Sequence, residues 1–278
     1  HWLPGNDKVL VYKRQSGTVL NAMAKADVIF ALDFNDASRI NDLEKYLINA
    51  PAKKVLIDHH PEPGNFADIV ISDVTYSSTA ELVYHVLESL GDGHLIDKTI
   101  AKCLYTGIMT DTGSFNYNSS QPYTYYVVSK LIGSGINKDQ IYWNIYDNFS
   151  ADRMRLLGYC LHKKMEVFSE YHSALISITK EELKKFNFAP GDSEGFVNFP
   201  LSIKGIRFSA IFIENDKQVK ISFRSKGTFP ANKFAEKHFN GGGHKNASGG
   251  NSNETLEKTL QKFRDLLPQY KTALKNDL

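Results

Sequence analysis

The sequence contains few cysteines. Its 278 residues include two, Cys103 and Cys160, which lie in apolar, helix-like stretches without CxxC spacing. This pattern excludes a small disulfide-stabilised scaffold. The simplest interpretation is a reduced protein of the cytoplasm.

Long apolar runs and a large net charge are also absent. No run reaches the roughly 18 to 20 apolar residues of a membrane span, and no charged-then-apolar leader is present. We therefore expect a soluble, unexported protein without a membrane partner. The 33 Lys and Arg residues nearly balance 31 Asp and Glu residues, giving a net charge of +2. Because a long nucleic-acid groove needs a concentrated basic surface, any polyanionic partner should be short.

Short apolar runs alternate with helical patterns in the first half of the chain, which is typical of βαβ units around a parallel sheet. Strands are predicted at 26–32, 54–57 and 68–71, and helices at 78–90, 98–108 and 122–133. Polar residues follow each strand directly. The length of the chain favours two domains, each able to bury its own core.

The second half of the chain has a different pattern. A helical spacing of apolar residues predicts a linker helix at 150–168. Strands are then predicted at 173–179, 207–214 and 218–225, with helices at 230–239 and from Glu254 onwards. We therefore predict an α/β protein of two domains, a parallel-sheet domain at 1–149 and a smaller mixed-sheet domain at 169–278, joined by the linker helix.

Acidic and histidine residues lie where open α/β sheets place ligand sites, at strand ends or at a helix exit. They are Asp33, Asp58, His59, His60 and Asp111. Carboxylates with imidazole suit a divalent ion such as Mn²⁺, and a dinuclear site would follow. A single Asp after a strand is more often a turn or cap residue, but three such clusters together favour a metal. Adjacent strand-end residues point in opposite directions, so packing does not readily explain the His59-His60 pair.

Several motifs resemble those of one known family. VLIDHHP at 55–61 resembles the signature of the DHH phosphoesterase superfamily. ALDFN at 31–35 is similar to its preceding metal-binding motif, GIMTDTGSF at 107–115 to its following one, and GGGH at 241–244 to the hallmark of the appended DHHA1 domain. Together with SSTAEL at 77–82, they occur in the expected order and are most similar to the bifunctional oligoribonuclease and pAp phosphatase subfamily.

The resemblance implies a role for each residue of the metal cluster. Two ions, typically Mn²⁺ with Mg²⁺ or Co²⁺ as alternatives, would activate a bridging water for attack on phosphorus. Asp33 would bridge the ions, and His59 and Asp111 would bind the second one. His60 would lie near the scissile phosphate, and Asp58 would accept an imidazole N–H to orient the histidines.

One motif of the superfamily is not found in residues 1–32. This motif, HxxxDxD, supplies ligands mainly to the first metal. We therefore expect the chain to be truncated at its amino terminus and to hold part of the metal site. His1 is not taken as the missing ligand.

The second domain is expected to bind the far end of the substrate. Consecutive glycines let backbone N–H groups approach an anion closely, and a guanidinium group binds phosphate bidentately. The predicted substrate-binding residues are Gly241, Gly242, Gly243, His244, Arg224 and Ser225. The alternative for the three glycines is a flexible exit from the preceding helix.

The residues and the resemblance together predict a cytoplasmic, Mn²⁺-dependent hydrolase with its active site in a cleft between the domains. Its substrates would be short oligoribonucleotides, cut to mononucleotides, or pAp, cut to AMP. The alternatives are a phosphodiesterase for cyclic or linear dinucleotides and, from another class, a non-catalytic nucleotide- or RNA-binding module. No stable protein partner is indicated, and a homodimer stays open.

Overall fold

A computed structural model describes residues 2–275 and divides the chain into two compact units, His1–Asn148 and Phe149–Leu278. His1 itself lies outside the described residues. Among residues 2–275, none of the helices combines the length and the apolar character needed to cross a membrane.

The first unit contains a parallel sheet of three strands. In spatial order these are β1 (Val28–Leu32), β2 (Lys53–Asp58) and β3 (Ile69–Ser72). Val and Ile, which suit a sheet, occur in all three strands. Because the strands run in the same direction, their carboxyl ends meet at one edge. The residues that follow β1 and β2 are thereby neighbours.

Helices precede, separate and follow these strands along the chain, and several of them pack on one another. They are α1 (Tyr12–Lys25), α2 (Glu44–Asn49), α3 (Thr79–Ser89), α4 (Lys98–Asp111), α5 (Pro122–Gly133) and α6 (Lys138–Tyr146). The three predicted strands and helices α3, α4 and α5 are confirmed. Helix α4 continues three residues beyond its predicted end, so Asp111 belongs to its last turn.

The core of the first unit lies where α3, α4 and α5 meet, around Tyr84, Ile108 and Val127. Trp2 packs against this cluster. Trp143, on α6, lines a separate cavity of about 290 Å³ beside α4 and α5. The two tryptophans of the sequence therefore both belong to the first unit.

The second unit contains a mixed sheet of six strands, in the order β4–β5–β6–β7–β9–β8. Its strands are β4 (Met165–Phe168), β5 (Ser173–Ile178), β6 (Phe208–Glu214), β7 (Val219–Ser225), β8 (Gly242–His244) and β9 (Ala247–Ser252). Strands β5 and β6 pair in parallel, and the other neighbours are antiparallel. Its helices are α7 (Ala151–Tyr159), α8 (Lys180–Lys185), α9 (Ala231–His238) and α10 (Leu256–Lys275).

The predicted linker helix at 150–168 is wrong in its last part. Helix α7 ends at Tyr159, a π-helical turn spans Cys160–Lys164, and residues 165–168 form strand β4. Apolar residues at helical spacing continue to Met165, but pairing with β5 supplies inter-strand hydrogen bonds instead. Tertiary pairing therefore decides the structure of these residues.

Phenylalanine dominates the core of the second unit. One face of the sheet, with Phe208, Phe212 and Phe223, packs on Phe234 of α9 and Phe263 of α10. The rings lie at centroid distances of 5.0 to 6.4 Å, the range in which aromatic pairs stabilise a core. The opposite face carries the polar residues described below.

Candidate metal centre and phosphate-binding face

Asp33 follows β1 in a strained backbone conformation. Its φ of 66° lies in the left-handed region, which costs a residue with a side chain about 1–2 kcal/mol. Its N–H still donates to the carbonyl of Ile57 at 3.3 Å, which ties it to the end of β2. Thr79, the first residue of α3, donates from Oγ1 to Asp33 Oδ1 at 2.8 Å.

Asp58 and His60 form a hydrogen-bonded pair at the end of β2. Asp58 is fully buried, and its Oδ1 accepts a hydrogen bond from His60 Nδ1 at 2.7 Å. Burial favours the neutral form of Asp58, but the hydrogen bonds from His60 outweigh it and hold the Asp58 pKa below its ordinary value. The same hydrogen bond raises the pKa of His60 above its ordinary value. Asp58 is thus in position to orient the His60 ring.

The His59 ring packs against the His60 ring, with centroids 4.9 Å apart, and also lies close to two other carboxylates. Its Nε2 lies 3.1 Å from Asp111 Oδ2 and 3.9 Å from Asp33 Oδ1. Its Nδ1 lies 3.2 Å from the carbonyl oxygen of Tyr76. Burial raises the pKa of Asp111, and the nearby Asp33 adds to that rise while His59 opposes it.

The residues at this edge of the sheet fit a divalent cation. Ligand atoms of Asp33, Asp58 and His60 all lie within 4.8 Å of one another. Two bonds of about 2.1 Å at a right angle would place two ligand atoms about 3 Å apart, which matches His59 Nε2 and Asp111 Oδ2. Oxygen ligands with imidazole suit Mn²⁺ and related ions. The structure thus brings together all five residues predicted for this cluster.

Sequence reasoning missed two further residues at this edge. Thr79 and Glu81 lie in the segment that the capping pattern identified only as a helix start. Thr79 contacts Asp33 directly. Glu81 is buried and accepts a hydrogen bond from the N–H of Ser77, in the loop that faces His59. Both residues belong to the SSTAEL segment, which resembles a family motif. A hydroxyl or carboxylate at the start of a helix is, however, ordinarily interpreted as a capping residue.

Arg224 and His244 share one face of the sheet in the second unit. Arg224 pairs with Ser209 on β6 and with Ala247 on β9, which in turn pairs with His244 on β8. Residues directly opposite in a sheet point to the same side, so these side chains form a row across four strands. Two strand spacings separate Arg224 from His244, about 10 Å. We call this the Arg224 face.

Ser225 is not brought to the Arg224 face. It pairs with Phe208 on the core side of the sheet, where its Oγ donates to the carbonyl of Phe229 at 2.7 Å. It also accepts from Asn246 Nδ2 at 2.8 Å. Successive strand residues point to opposite faces, so the neighbour of Arg224 faces the core.

The three predicted phosphate-binding glycines do not form a loose loop. Gly242 and Gly243 belong to β8, and each glycine has a different environment. A Cβ at Gly241 would lie 2.0 Å from the carbonyl oxygen of Gly249, and Gly243 has a φ of 132°. A Cβ at Gly242 would meet no atom within 4 Å, and its register places it on the Arg224 face. Of the three, Gly242 is the one with open space on that face.

Two family models match the sequence. Residues 3–108 match the DHH family, N-terminal domain, and residues 172–273 match the DHHA1 domain. The two matches fall in the first and the second unit, respectively.

Individual proteins are similar over most of the chain. A solved structure of an exopolyphosphatase-related protein from Bacteroides fragilis is 46% identical with a TM-score of 0.96, covering 99% of this chain and 80% of that one. The bifunctional oligoribonuclease and PAP phosphatase NrnA of Bacillus subtilis is 29% identical over 82% of this chain and 71% of its own. A probable NrnA of Streptococcus mutans is 28% identical over 94% of this chain and 82% of its own.

Proposed function

The chain belongs to the DHH family and carries a DHHA1 domain, and on that premise we propose that it is a metal-dependent phosphoesterase for short nucleotides. It would hydrolyse short oligoribonucleotides to mononucleotides and pAp to AMP, the activities for which its NrnA relatives are named. The observation that carries the proposal is the convergence of five carboxylate and imidazole side chains at the carboxyl edge of the parallel sheet.

Three of these residues would hold the cation. Asp33, His59 and Asp111 present the ligand atoms, and Thr79 fixes the orientation of Asp33. Bound Mn²⁺, or Mg²⁺ or Co²⁺ in its place, would supply an activated water and Lewis-acid stabilisation of the phosphoryl group. Free cysteines, Cys103 and Cys160, are consistent with a reducing compartment, for which we propose the cytoplasm.

His60 would act on the phosphate itself. Asp58 accepts the hydrogen bond from His60 Nδ1, so in this proposal Nε2 is the ring nitrogen that contacts the phosphate. Since the hydrogen bond to Asp58 raises the His60 pKa, Nε2 holds a proton to higher pH than in a free histidine. It would donate that proton in a hydrogen bond to a phosphoryl oxygen, where negative charge develops during hydrolysis.

The Arg224 face would bind a second phosphate of the substrate. Arg224 and His244 supply cationic or N–H donors, and Gly242 leaves room for an anion above the sheet. A phosphate held at one fixed place favours substrates of a few nucleotides, which agrees with the net charge of +2.

The test is release of AMP from pAp and from 5′-phosphorylated diadenosine in the presence of Mn²⁺, with Mg²⁺ and Co²⁺ in parallel. The 278-residue chain is assayed alone and with an amino-terminal extension that carries an HxxxDxD motif, because residues 1–32 hold no such motif. We expect Asp33→Asn to lower the rate by at least about a hundredfold, since it weakens a metal ligand. Asp36→Asn is the control, because Asp36 caps a nearby turn through Ser38 instead.

Two outcomes would contradict the proposal. An Asp33→Asn enzyme with more than about a tenth of the original rate would remove Asp33 from the metal site. No hydrolysis by either form of the protein, with binding of the same nucleotides retained, would identify a non-catalytic binding module instead. Preferential cleavage of a cyclic dinucleotide would show that the substrates differ from those proposed, while the reaction, hydrolysis of a phosphoester, stays the same.

A further inference from the structure

One peptide group links His59 to a buried carboxylate. The carbonyl oxygen of Tyr76 lies 3.2 Å from His59 Nδ1. The N–H of the same peptide, which belongs to Ser77, donates to Glu81 Oε2 at 2.9 Å. A single planar unit therefore has the imidazole at one end and the carboxylate at the other.

Glu81 is held in this place by several donors. It is 1% exposed, and its carboxylate accepts from the Ser77 hydroxyl as well as from the Ser77 N–H. Thr124 of α5 donates from Oγ1 to both carboxylate oxygens, at 3.0 and 3.1 Å. A carboxylate removed from water is costly unless it is hydrogen-bonded in this way.

Helix capping does not account for this arrangement. Ser78 is the N-cap of α3, and its hydroxyl accepts from the Glu81 N–H at 3.1 Å. In a capping box the glutamate would bond in return to the N–H of the N-cap residue itself. Glu81 instead bonds to Ser77, one residue earlier, whose peptide faces His59.

We propose that Glu81 is a positioning residue that orients His59 through the Tyr76–Ser77 peptide. A carboxylate on the N–H end of a peptide polarises the carbonyl at the other end and makes it a stronger acceptor. The Nδ1 proton of His59 is thereby held on the carbonyl of Tyr76, and Nε2 is left as the ligand atom. This inference rests on the metal centre of the proposed function.

The alternative protonation of the ring would work against metal binding. A neutral imidazole carries one proton, and a proton at Nε2 would occupy the atom that faces Asp111 and Asp33. Holding the proton at Nδ1 presents the Nε2 lone pair to the cation instead. Groups that orient metal-binding histidines in this way usually contribute tenfold to a hundredfold in affinity.

The test compares Glu81→Gln with Glu88→Gln. The first change keeps the shape of the side chain and removes the charge from the peptide. The second is a matched control on the same helix, where the exposed Glu88 accepts a hydrogen bond from Tyr84 at 3.1 Å. The measurements are Mn²⁺ affinity by titration calorimetry and, by ¹⁵N NMR, the protonation of His59 Nδ1 in the metal-free and Mg²⁺-loaded protein.

We expect Glu81→Gln to bind Mn²⁺ about tenfold more weakly, with faster exchange of the Nδ1 proton, and Glu88→Gln to stay within about twofold of the original affinity. A folded Glu81→Gln protein with unchanged Mn²⁺ affinity would overturn the proposal and leave Glu81 a purely structural residue. If that variant does not fold, the NMR measurement on the original protein still tests the proposal. An unprotonated His59 Nδ1 would overturn it.

The outcome for the proposed function is separate. Weaker Mn²⁺ binding by Glu81→Gln in a protein that hydrolyses no phosphoester would contradict the proposed function and support the role of Glu81. If the original protein hydrolyses the phosphoester and Glu81→Gln binds Mn²⁺ with the same affinity, the proposed function is supported and the role of Glu81 is contradicted.

Discussion

The hydroxyl of Thr79 shows how a single residue outside the predicted set shapes the candidate metal centre. It donates to Asp33 Oδ1 at 2.8 Å, and Asp33 is otherwise a largely exposed side chain on a strained backbone. We expect Thr79→Val to weaken Mn²⁺ binding by about tenfold, because it frees the Asp33 carboxylate to rotate. Titration calorimetry measures this change directly.

Thr79→Ser is the matched control, since it keeps the hydroxyl and removes one methyl group. It should retain Mn²⁺ affinity within about threefold. Equal losses in the two variants would show that the methyl group, and hence packing at the start of α3, matters more than the hydrogen bond.

The residues of the cluster could be predicted from the sequence because each lies at or just after the end of a strand or helix, and the parallel strands bring these ends together. Thr79 and Glu81 could not be given their roles in this way. A hydrogen bond across 46 positions, such as that from Thr79 to Asp33, leaves no local pattern in the sequence. Ser225 is grouped with Arg224 because the two are adjacent in sequence, but adjacent residues of a strand point to opposite faces of the sheet.

At the scale of elements, the glycines of the β8 region provide a direct comparison. A Cβ at Gly241 would collide with the backbone of β9, whereas one at Gly242 would meet open space. We expect Gly241→Ala to lower the free energy of unfolding by about 1–3 kcal/mol and Gly242→Ala to change it by less than about 0.5 kcal/mol. Urea unfolding followed by circular dichroism measures both.

Gly242→Ala should still weaken substrate binding, because its methyl group would project from the Arg224 face. A raised KM for pAp with unchanged stability is the expected result. Similar stability losses in both variants would mean that β8 does not pack on β9 as described.

Helix α8 begins with a capping box that depends on pH. Glu182 accepts from the Thr179 N–H, the Tyr159 hydroxyl and Lys164 Nζ, at 2.8, 2.6 and 2.9 Å. Burial favours its neutral form, but these partners outweigh burial and hold the Glu182 pKa below its ordinary value. A pKa lowered by folding stabilises the protein above the unfolded pKa, and this stabilisation is lost as pH falls through the folded value.

We therefore expect Glu182→Gln to lower the free energy of unfolding by about 1–2 kcal/mol at neutral pH. The difference should shrink as pH falls below about 4.3. Urea unfolding at several pH values measures it, with the exposed neighbour Glu181→Gln as control. A difference that stays constant from neutral to acid pH would show that ionisation of Glu182 is not its source.

The elements themselves could be predicted wherever periodicity and tertiary packing agree. Strand β2 and helices α3 and α5 combine apolar periodicity with clear boundary signals such as Ser78 and Pro122. Strand β4 could not be predicted, because Met165 continues the helical spacing of α7 and only pairing with β5 makes it a strand. The short β8 has two glycines among its three residues, and glycine gives no strand signal.

At the scale of the whole molecule, the two units are expected to perform separable tasks. Arg224→Ala should raise the KM for pAp by about tenfold to a hundredfold, because it removes a charged hydrogen-bond donor. The Mn²⁺ content per chain should stay unchanged, whereas Asp33→Asn should lower it. Metal analysis beside steady-state kinetics distinguishes the two effects.

Arg155→Ala is the control for lost positive charge, because Arg155 is an exposed residue of α7 paired with Asp152. It should leave the KM for pAp nearly unchanged. If Arg224→Ala instead reduced the Mn²⁺ content, substrate binding and metal binding could not be assigned to different units.

The distribution of aromatic side chains gives each unit its own spectroscopic signature. Trp2 and Trp143 both lie in the first unit, while phenylalanine fills the core of the second. Fluorescence excited at the red edge of aromatic absorption therefore reports on the first unit alone, whereas far-ultraviolet circular dichroism reports on both. Coincident unfolding curves from these two signals would mark a single cooperative transition, and separated curves would yield the stability of each unit without any engineered label.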